Sequence, residues 1–189
     1  MPEGFTLPEA VTLPNNFVTV FHTLTTDLDI KTPWPKPPVY TPDRADNPIL
    51  VWGGSSSVGQ FAIQILRYYG YTNILTTASK KHHQSLRDLG AKTVFDYHDD
   101  DVVRKIAEEG GEKGVQVVFD CIGSKYGSIA PISRIARAGA KVAILLPVIV
   151  RDSSETQDPE YEMDVRRAAE WEDGVEVRGV RTHFYLHVS

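Results

Sequence analysis

Among the 189 residues only Cys121 is a cysteine, which excludes an internal disulfide and any cysteine-rich zinc site. Cations are in deficit, 20 Lys and Arg against 25 Asp and Glu, and the net charge of −5 gives no support for nucleic acid or a membrane surface as a partner. No apolar run reaches ~18 residues and the N-terminus lacks a signal-peptide pattern, so a soluble, cytoplasmic protein is expected. Internal repeats at the usual periods are absent. The length suits one α/β domain with mass enough to bury a core and is cramped for two.

The stretch from Ile49 to Tyr69 organises what is there. Ile49-Leu50-Val51-Trp52 is a short apolar run with branched residues, and it leads directly into Gly53-Gly54-Ser55-Ser56-Ser57-Val58-Gly59. A buried strand entering a tight turn is expected. Phe61, Ile65 and Tyr68 then recur at helical spacing, widened by Ala62, Ile63 and Leu66, and Gly70 closes the helix. Strand, small-residue turn and helix together suit a phosphate, because the backbone can approach the anion and the helix N-terminus offers free N–H groups. The spacing Gly54-x-x-Ser57-x-Gly59 is poorer in glycine than the dinucleotide fingerprint G-x-G-x-x-G.

Residues 1–48 are read as two helices followed by a proline-rich loop that lead into the fold, and residues 49–189 as the nucleotide-binding domain. The first helix opens at Pro8-Glu9-Ala10-Val11 and the second at Asn15 or Asn16, with Val18, Phe21, His22 and Leu28 on its apolar face. Pro33, Pro35, Pro37, Pro38, Pro42 and Pro48 forbid a helix or central strand between Ile30 and Pro48. After the Gly-Ser turn strand and helix alternate. Strands are expected at 73–78, 93–97, 115–120 and 141–146, and helices at 81–89, 99–109 and 128–138. Such β-α-β units with right-handed crossovers give a doubly wound parallel sheet, a Rossmann fold, with ligands at the carboxyl ends of its strands. Beyond Pro147 a helix is expected over Pro159 to Trp171 and one or two strands over Gly174 to Leu186.

Enzymes that hold the 2′-hydroxyl of NAD carry an Asp or Glu at the end of the second strand, whereas a 2′-phosphate needs cations and hydroxyls. Here that strand ends Thr77-Ala78-Ser79-Lys80-Lys81-His82, without a carboxylate. Lys80 and Lys81 suit a dianion, and Thr77 and Ser79 supply hydroxyls, so NADP(H) is favoured. Cations in a first helical turn otherwise oppose the helix dipole.

Leu7-Pro8-Glu9-Ala10-Val11-Thr12-Leu13-Pro14, Ile49 to Gly59, Thr77 to His82, Leu89 to Tyr97 and Val118-Phe119-Asp120-Cys121-Ile122-Gly123 resemble the cofactor domain of the medium-chain dehydrogenase/reductase superfamily. The likeness is nearest to its quinone-oxidoreductase branch and to fungal trans-acting enoyl reductases. It implies that Ser55, Ser56, Ser57 and Val58 line the pyrophosphate, and that Ser79, Lys80 and His82 surround the 2′-phosphate; Gly54 and Gly59 of the turn and Thr77 at the strand end are counted with them as cofactor-binding residues. Tyr97 would pack near the adenosine. Cys121, Ile122, Gly123, Leu145 and Leu146 would border the nicotinamide, with Cys121 a small core residue.

Two departures from the family pattern bear on chemistry. Asn15 stands where zinc-containing members carry a cysteine after the Leu-Pro pair, so a zinc-independent reductase is expected and no metal site. The N-terminal barrel-type catalytic domain of the family has no counterpart here, so the chain reads as a truncated form with little turnover of its own. The parent enzyme would pass hydride from NADPH to an enoyl thioester, enone or quinone, the small-molecule substrate being held largely by the missing domain. Tyr97 and Tyr126 qualify as acids by residue type alone, which leaves the catalytic residue open. A non-catalytic nucleotide-binding or interaction module and a zinc-dependent alcohol dehydrogenase fragment are the alternatives. Pairing of two copies through an edge strand within Gly174 to Leu186 is a further expectation.

Overall fold

The strands fall where branched and apolar residues run together without alternation, the pattern of strands covered on both faces. The computed structural model describes residue 4 and residues 6–181. Strands β1 (Ile49–Trp52) and β2 (Ile74–Thr77) are buried at every position. With β3 (Thr93–Phe95), β4 (Val117–Asp120), β5 (Lys141–Leu145) and a last strand, they form a six-stranded sheet. Two shorter strands, β6 (Val148–Arg151) and β7 (Glu160–Glu162), precede that last strand, β8 (Glu176–Val180). The sheet order is β3-β2-β1-β4-β5-β8 and all its pairings are parallel. Val51 lies opposite Thr76 on one side and Phe119 on the other.

Helices cover both faces. On one, α1 (Leu7–His22), α2 (Ser57–Tyr69) and α3 (His83–Leu89) bury Val20, Ile63, Leu66 and Leu86 against Val51 and Phe119. On the other, α4 (Val102–Gly110) and α5 (Ala130–Ile135) bury Ile106 and Ile132 against Leu50, Val118 and Val142. Helix α2 is framed by its caps. Ser56 Oγ accepts the Gly59 N–H, and Gly70, at φ +94°, gives its N–H to the carbonyls of Leu66 and Arg67.

Several elements differ from expectation. The N-terminal segment is one helix, α1, with Pro14 inside it, rather than two. The proline interrupts the ladder on an exposed stretch, Leu7 and Val11 being 74% and 75% exposed, where water can serve the freed carbonyl. A π turn, Thr23–Asp27, then buries Thr23 and Leu24. Pro159 to Trp171 is not a helix. Its residues form β7, which pairs antiparallel with β6 so that Tyr161 faces Ile149, and a 3-10 turn at Val165–Arg167. Burial of Val165 and Ala168, with Trp171 packed beside them, outweighs the helix propensity of the Ala, Glu and Arg residues there.

The element over 128–138 is divided. A wide turn, Lys125–Ile129, enters α5, which ends at Ile135 with Ala136 extended. Asp96 and Tyr97 fall beyond the end of β3. Strand β8 pairs with β5 and stands at the sheet edge, and residues 182–186 of the expected strand lie outside the described residues.

The proline-rich loop is irregular, as expected, but it is fastened down. Tyr40 and Tyr71 donate their phenol O–H groups to the Lys31 carbonyl at 2.9 and 3.1 Å, and Tyr69 donates to the Pro33 carbonyl at 3.1 Å. Burial pushes the Tyr71 phenol up to about 12, so it remains a donor across the neutral range.

Candidate functional site

The predicted residues meet at the carboxyl ends of β1 to β5. The strand order reverses between β1 and β4, and in open α/β sheets the crevice outside such a reversal takes the ligand. Gly53 enters the turn after β1 at φ +84°, a conformation that favours glycine. Its N–H donates to Thr77 Oγ1 at 3.0 Å and the Gly54 N–H to the Thr77 carbonyl at 2.9 Å. The start of α2 crosses this turn at contact distance, since a Cβ on Gly59 would lie 2.4 Å from the Gly53 oxygen and 2.7 Å from Gly54 Cα. Ser56 Oγ donates to the Gly53 carbonyl at 2.8 Å while accepting the Gly59 N–H at 3.0 Å. Ser55, Ser56 and Val58 are half-buried and Ser57 is exposed, around the N–H groups that a helix N-terminus leaves open.

Beyond β2, Ser79 and His82 are half-buried and Lys80 and Lys81 are exposed. Thr77 has a structural partner of its own. Its side chain is fully buried and its hydroxyl oxygen accepts the Gly53 N–H, so it fastens the first turn. Lys80 Nζ stands 3.9 Å from Asp96 Oδ2 and 3.8 Å from Asp99 Oδ1. The His98 backbone N–H, with the His98 ring, holds the Asp96 carboxyl below the usual carboxylate range. Tyr97 is 46% exposed, and its ring lies against that of His98 with centroids 4.1 Å apart.

On the far side of the reversal the site is largely apolar. Cys121 is buried, and burial pushes its thiol well above the ordinary range, which makes it a packing residue. Ile122 is 42% exposed and sits over the first turn, its Cγ1 only 2.5 Å from where a Cβ on Gly53 would stand. Gly123, at φ +66°, leaves room for the Leu145 carbonyl, which a Cβ would meet at 2.4 Å. Leu145 and Leu146 are half-buried, and Leu146 also lines a cavity of ≈ 600 Å³ with Met163, Val165, Val177 and Arg178.

Asp120, which closes β4, was not among the expected site residues and is wholly buried. Its Oδ1 accepts the N–H groups of Ile122 and Gly123 at 2.9 and 3.1 Å, and its Oδ2 accepts the Ser128 hydroxyl at 2.6 Å. Burial pushes the carboxyl up to about 6 against the pull of those donors. A carboxylate ending an apolar strand was the available signal, as it was for Asp96. Among the described residues no group of three or more His, Cys, Asp or Glu side chains is arranged to hold a metal ion.

A family model described as zinc-binding dehydrogenase matches residues 57–154. The trans-enoyl reductase tazE of Aspergillus terreus is 40% identical over 119 residues, covering 61% of this chain and 36% of that protein. Of solved structures, the CurK enoyl reductase gives a TM-score of 0.69 at 20% identity, over 100% of this chain and 48% of its own. The quinone oxidoreductase from Coxiella burnetii gives 0.68 at 21%, over 98% and 48%. The chain thus spans less than half of each of these proteins, and at such identities the solved structures speak to the fold. With more than half of its residues matched by that family model and its strand order reversing between β1 and β4, the chain belongs to the zinc-binding dehydrogenase family, as the cofactor-binding domain of a medium-chain dehydrogenase/reductase.

Proposed function

We propose that this domain binds NADP(H) across the carboxyl ends of β1 to β5, and that it serves a reductase acting on an enoyl thioester, enone or quinone without zinc. The observation that carries this is the meeting of two turns at the strand-order reversal. The Gly53–Gly59 turn opens an anion site at the N-terminus of α2, and the Cys121–Gly123 turn closes over it through Ile122. Bound there, the nicotinamide would supply the hydride, and the protein supplies position and electrostatics. The backbone of Ser55 to Val58 would hold the pyrophosphate. Ser79, Lys80 and His82 would face the 2′-phosphate, and Tyr97 the adenosine.

The chemistry of the donor set favours the phosphorylated cofactor. Lys80 is exposed, and its two carboxylate neighbours lie at the outer limit of ion pairing. At 3.8 and 3.9 Å, with the ammonium itself in solvent, these pairs hold the cation weakly, so a dianion competes for it successfully. Cys121, buried with its thiol protonated, supports hydride transfer by the cofactor over a cysteine nucleophile. The names of the relatives support the reductase class, and Asn15 supports the absence of zinc.

Calorimetric titration of the 189-residue chain with NADPH and NADH tests the cofactor. Preference for NADPH is expected. Binding of neither, or a preference for NADH, would remove the proposal. The reductase class is tested by joining the domain to the remaining half of a relative and assaying NADPH oxidation with crotonyl thioesters and with quinones.

A further inference from the structure

We propose that Asp120 is a positioning residue for the nicotinamide end of the cofactor, its carboxylate fixing the turn that forms that wall. This rests on the assignment of Cys121, Ile122 and Gly123 to the nicotinamide border. The turn following β4 has no regular structure of its own, and its shape is set by a single buried side chain. One oxygen of Asp120 collects the Ile122 and Gly123 N–H groups and the other takes the Ser128 hydroxyl. Ser128, also wholly buried, accepts the Ser124 N–H at 2.9 Å, so both ends of the turn are tied to one carboxylate. The consequences pass outward through backbone and side-chain contacts. Gly123 gives its carbonyl to the Ile149 N–H at 2.7 Å, which joins the turn to β6, and Ile122 is set over Gly53, which joins it to the first turn.

Shape, rather than charge, is what the site draws from this residue. No cation lies among the hydrogen-bond partners of Asp120, and an ionised carboxylate is disfavoured by burial. An amide fits the same donors. Its oxygen can take the two N–H groups, and its NH2 can donate to Ser128, whose proton then turns to the Ser124 carbonyl at 3.1 Å. Alanine leaves the donors unanswered and frees the turn.

The test compares NADPH with adenosine 2′,5′-bisphosphate, which keeps the phosphate and lacks the nicotinamide, by calorimetry on the whole chain. NADPH is expected to bind the wild type more tightly. Asp120→Ala should weaken NADPH about 10-fold or more and change the bisphosphate less than about 2-fold. Asp120→Asn should keep NADPH within about 3-fold of wild type, and Ser128→Ala, which removes one donor, should weaken NADPH alone by roughly 3-fold. Should Asp120→Ala fail to fold, the Ser128→Ala and Asp120→Asn results decide. Equal loss of both ligands in the variants would assign a general structural role instead and overturn the inference. So would no loss of either, or equal affinity of the wild type for both. Wild-type chain that binds neither probe removes the cofactor assignment and this inference together, whereas each of the other adverse outcomes leaves NADP(H) binding standing.

Discussion

Beyond β2 and β3 the charged groups, the buried Asp96 excepted, reach water. Lys80 is 76% exposed at its side chain, beside Asp96, Asp99 and Lys105, the last pairing with both Asp99 and Asp101. Beyond β4, across β1, the polar pair Asp120 and Ser128 has no solvent contact at all. Exposed ion pairs exchange partners at little cost and are screened by salt beyond about 8 Å at physiological ionic strength. A buried carboxylate with all its donors in place keeps one geometry. One half of the site is therefore suited to exchange an internal ion pair for a ligand's charge, and the other to present a fixed surface.

Both halves share the Gly-Ser turn, so the change that breaks the comparison altogether is Gly59→Ala. Its Cβ would collide with the backbone of Gly53 and Gly54, which cannot yield without opening the turn. A stability loss of roughly 3 kcal/mol or more is expected in urea unfolding, with dinucleotide binding lost. Stability unchanged within error would show that the turn is loose.

The buried half is sharpened by pH. The folded pKa of Asp120, about 6, lies above its ordinary 3.8. The proton is thus bound more tightly in the folded state, and the stability gained from it is complete below about pH 4 and lost as pH rises through about 6. The difference corresponds to roughly 3 kcal/mol by neutral pH. Asp120→Asn removes this titration, so the stability of the variant relative to wild type should rise by about that amount between pH 4 and pH 7.5. Parallel pH profiles of the two proteins would count against a shifted carboxyl.

The exposed half is sharpened by charge. Lys80→Glu places a carboxylate where the 2′-phosphate is proposed to lie and should weaken NADPH binding by about 30- to 100-fold, with NADH changed less than about 3-fold. The smallest effect belongs to Asp99→Asn, which frees Lys80 from one competitor and should tighten NADPH by roughly 2- to 5-fold at low salt, an advantage that shrinks as salt is raised. A loss of affinity instead would mean that Asp99 orients Lys80 for the ligand.

The exposed half was the more legible from sequence. Lys80, Lys81 and Ser79 declare themselves by residue type after an apolar strand, and the Gly-Ser turn by its place between strand and helix. The role of Thr77 is set by a partner distant in the chain and does not show in local pattern, and that of Asp120 is set by depth of burial, of which a carboxylate ending an apolar strand is the one local sign. Thr77 bonds to Gly53, far along the sequence. The fold followed the same division. The strands and their parallel, doubly wound arrangement came from β-α-β alternation, while Pro159 to Trp171, rich in helix formers, became strand and turn because β6 and the second core offered it partners. Pro14 inside α1 shows the converse, a breaker tolerated where the helix is exposed.

The phenol bonds that fasten the proline-rich loop have a mechanical meaning. Tyr69 is the last residue of α2 and holds the Pro33 carbonyl, while near the other end of α2 the Phe61 ring stands edge-on to Phe17 of α1 at 6.3 Å. The polypeptide ahead of β1 thus touches α2 near both ends. The segment ahead of the sheet and the turn where the anion is proposed to sit are therefore joined through a single helix.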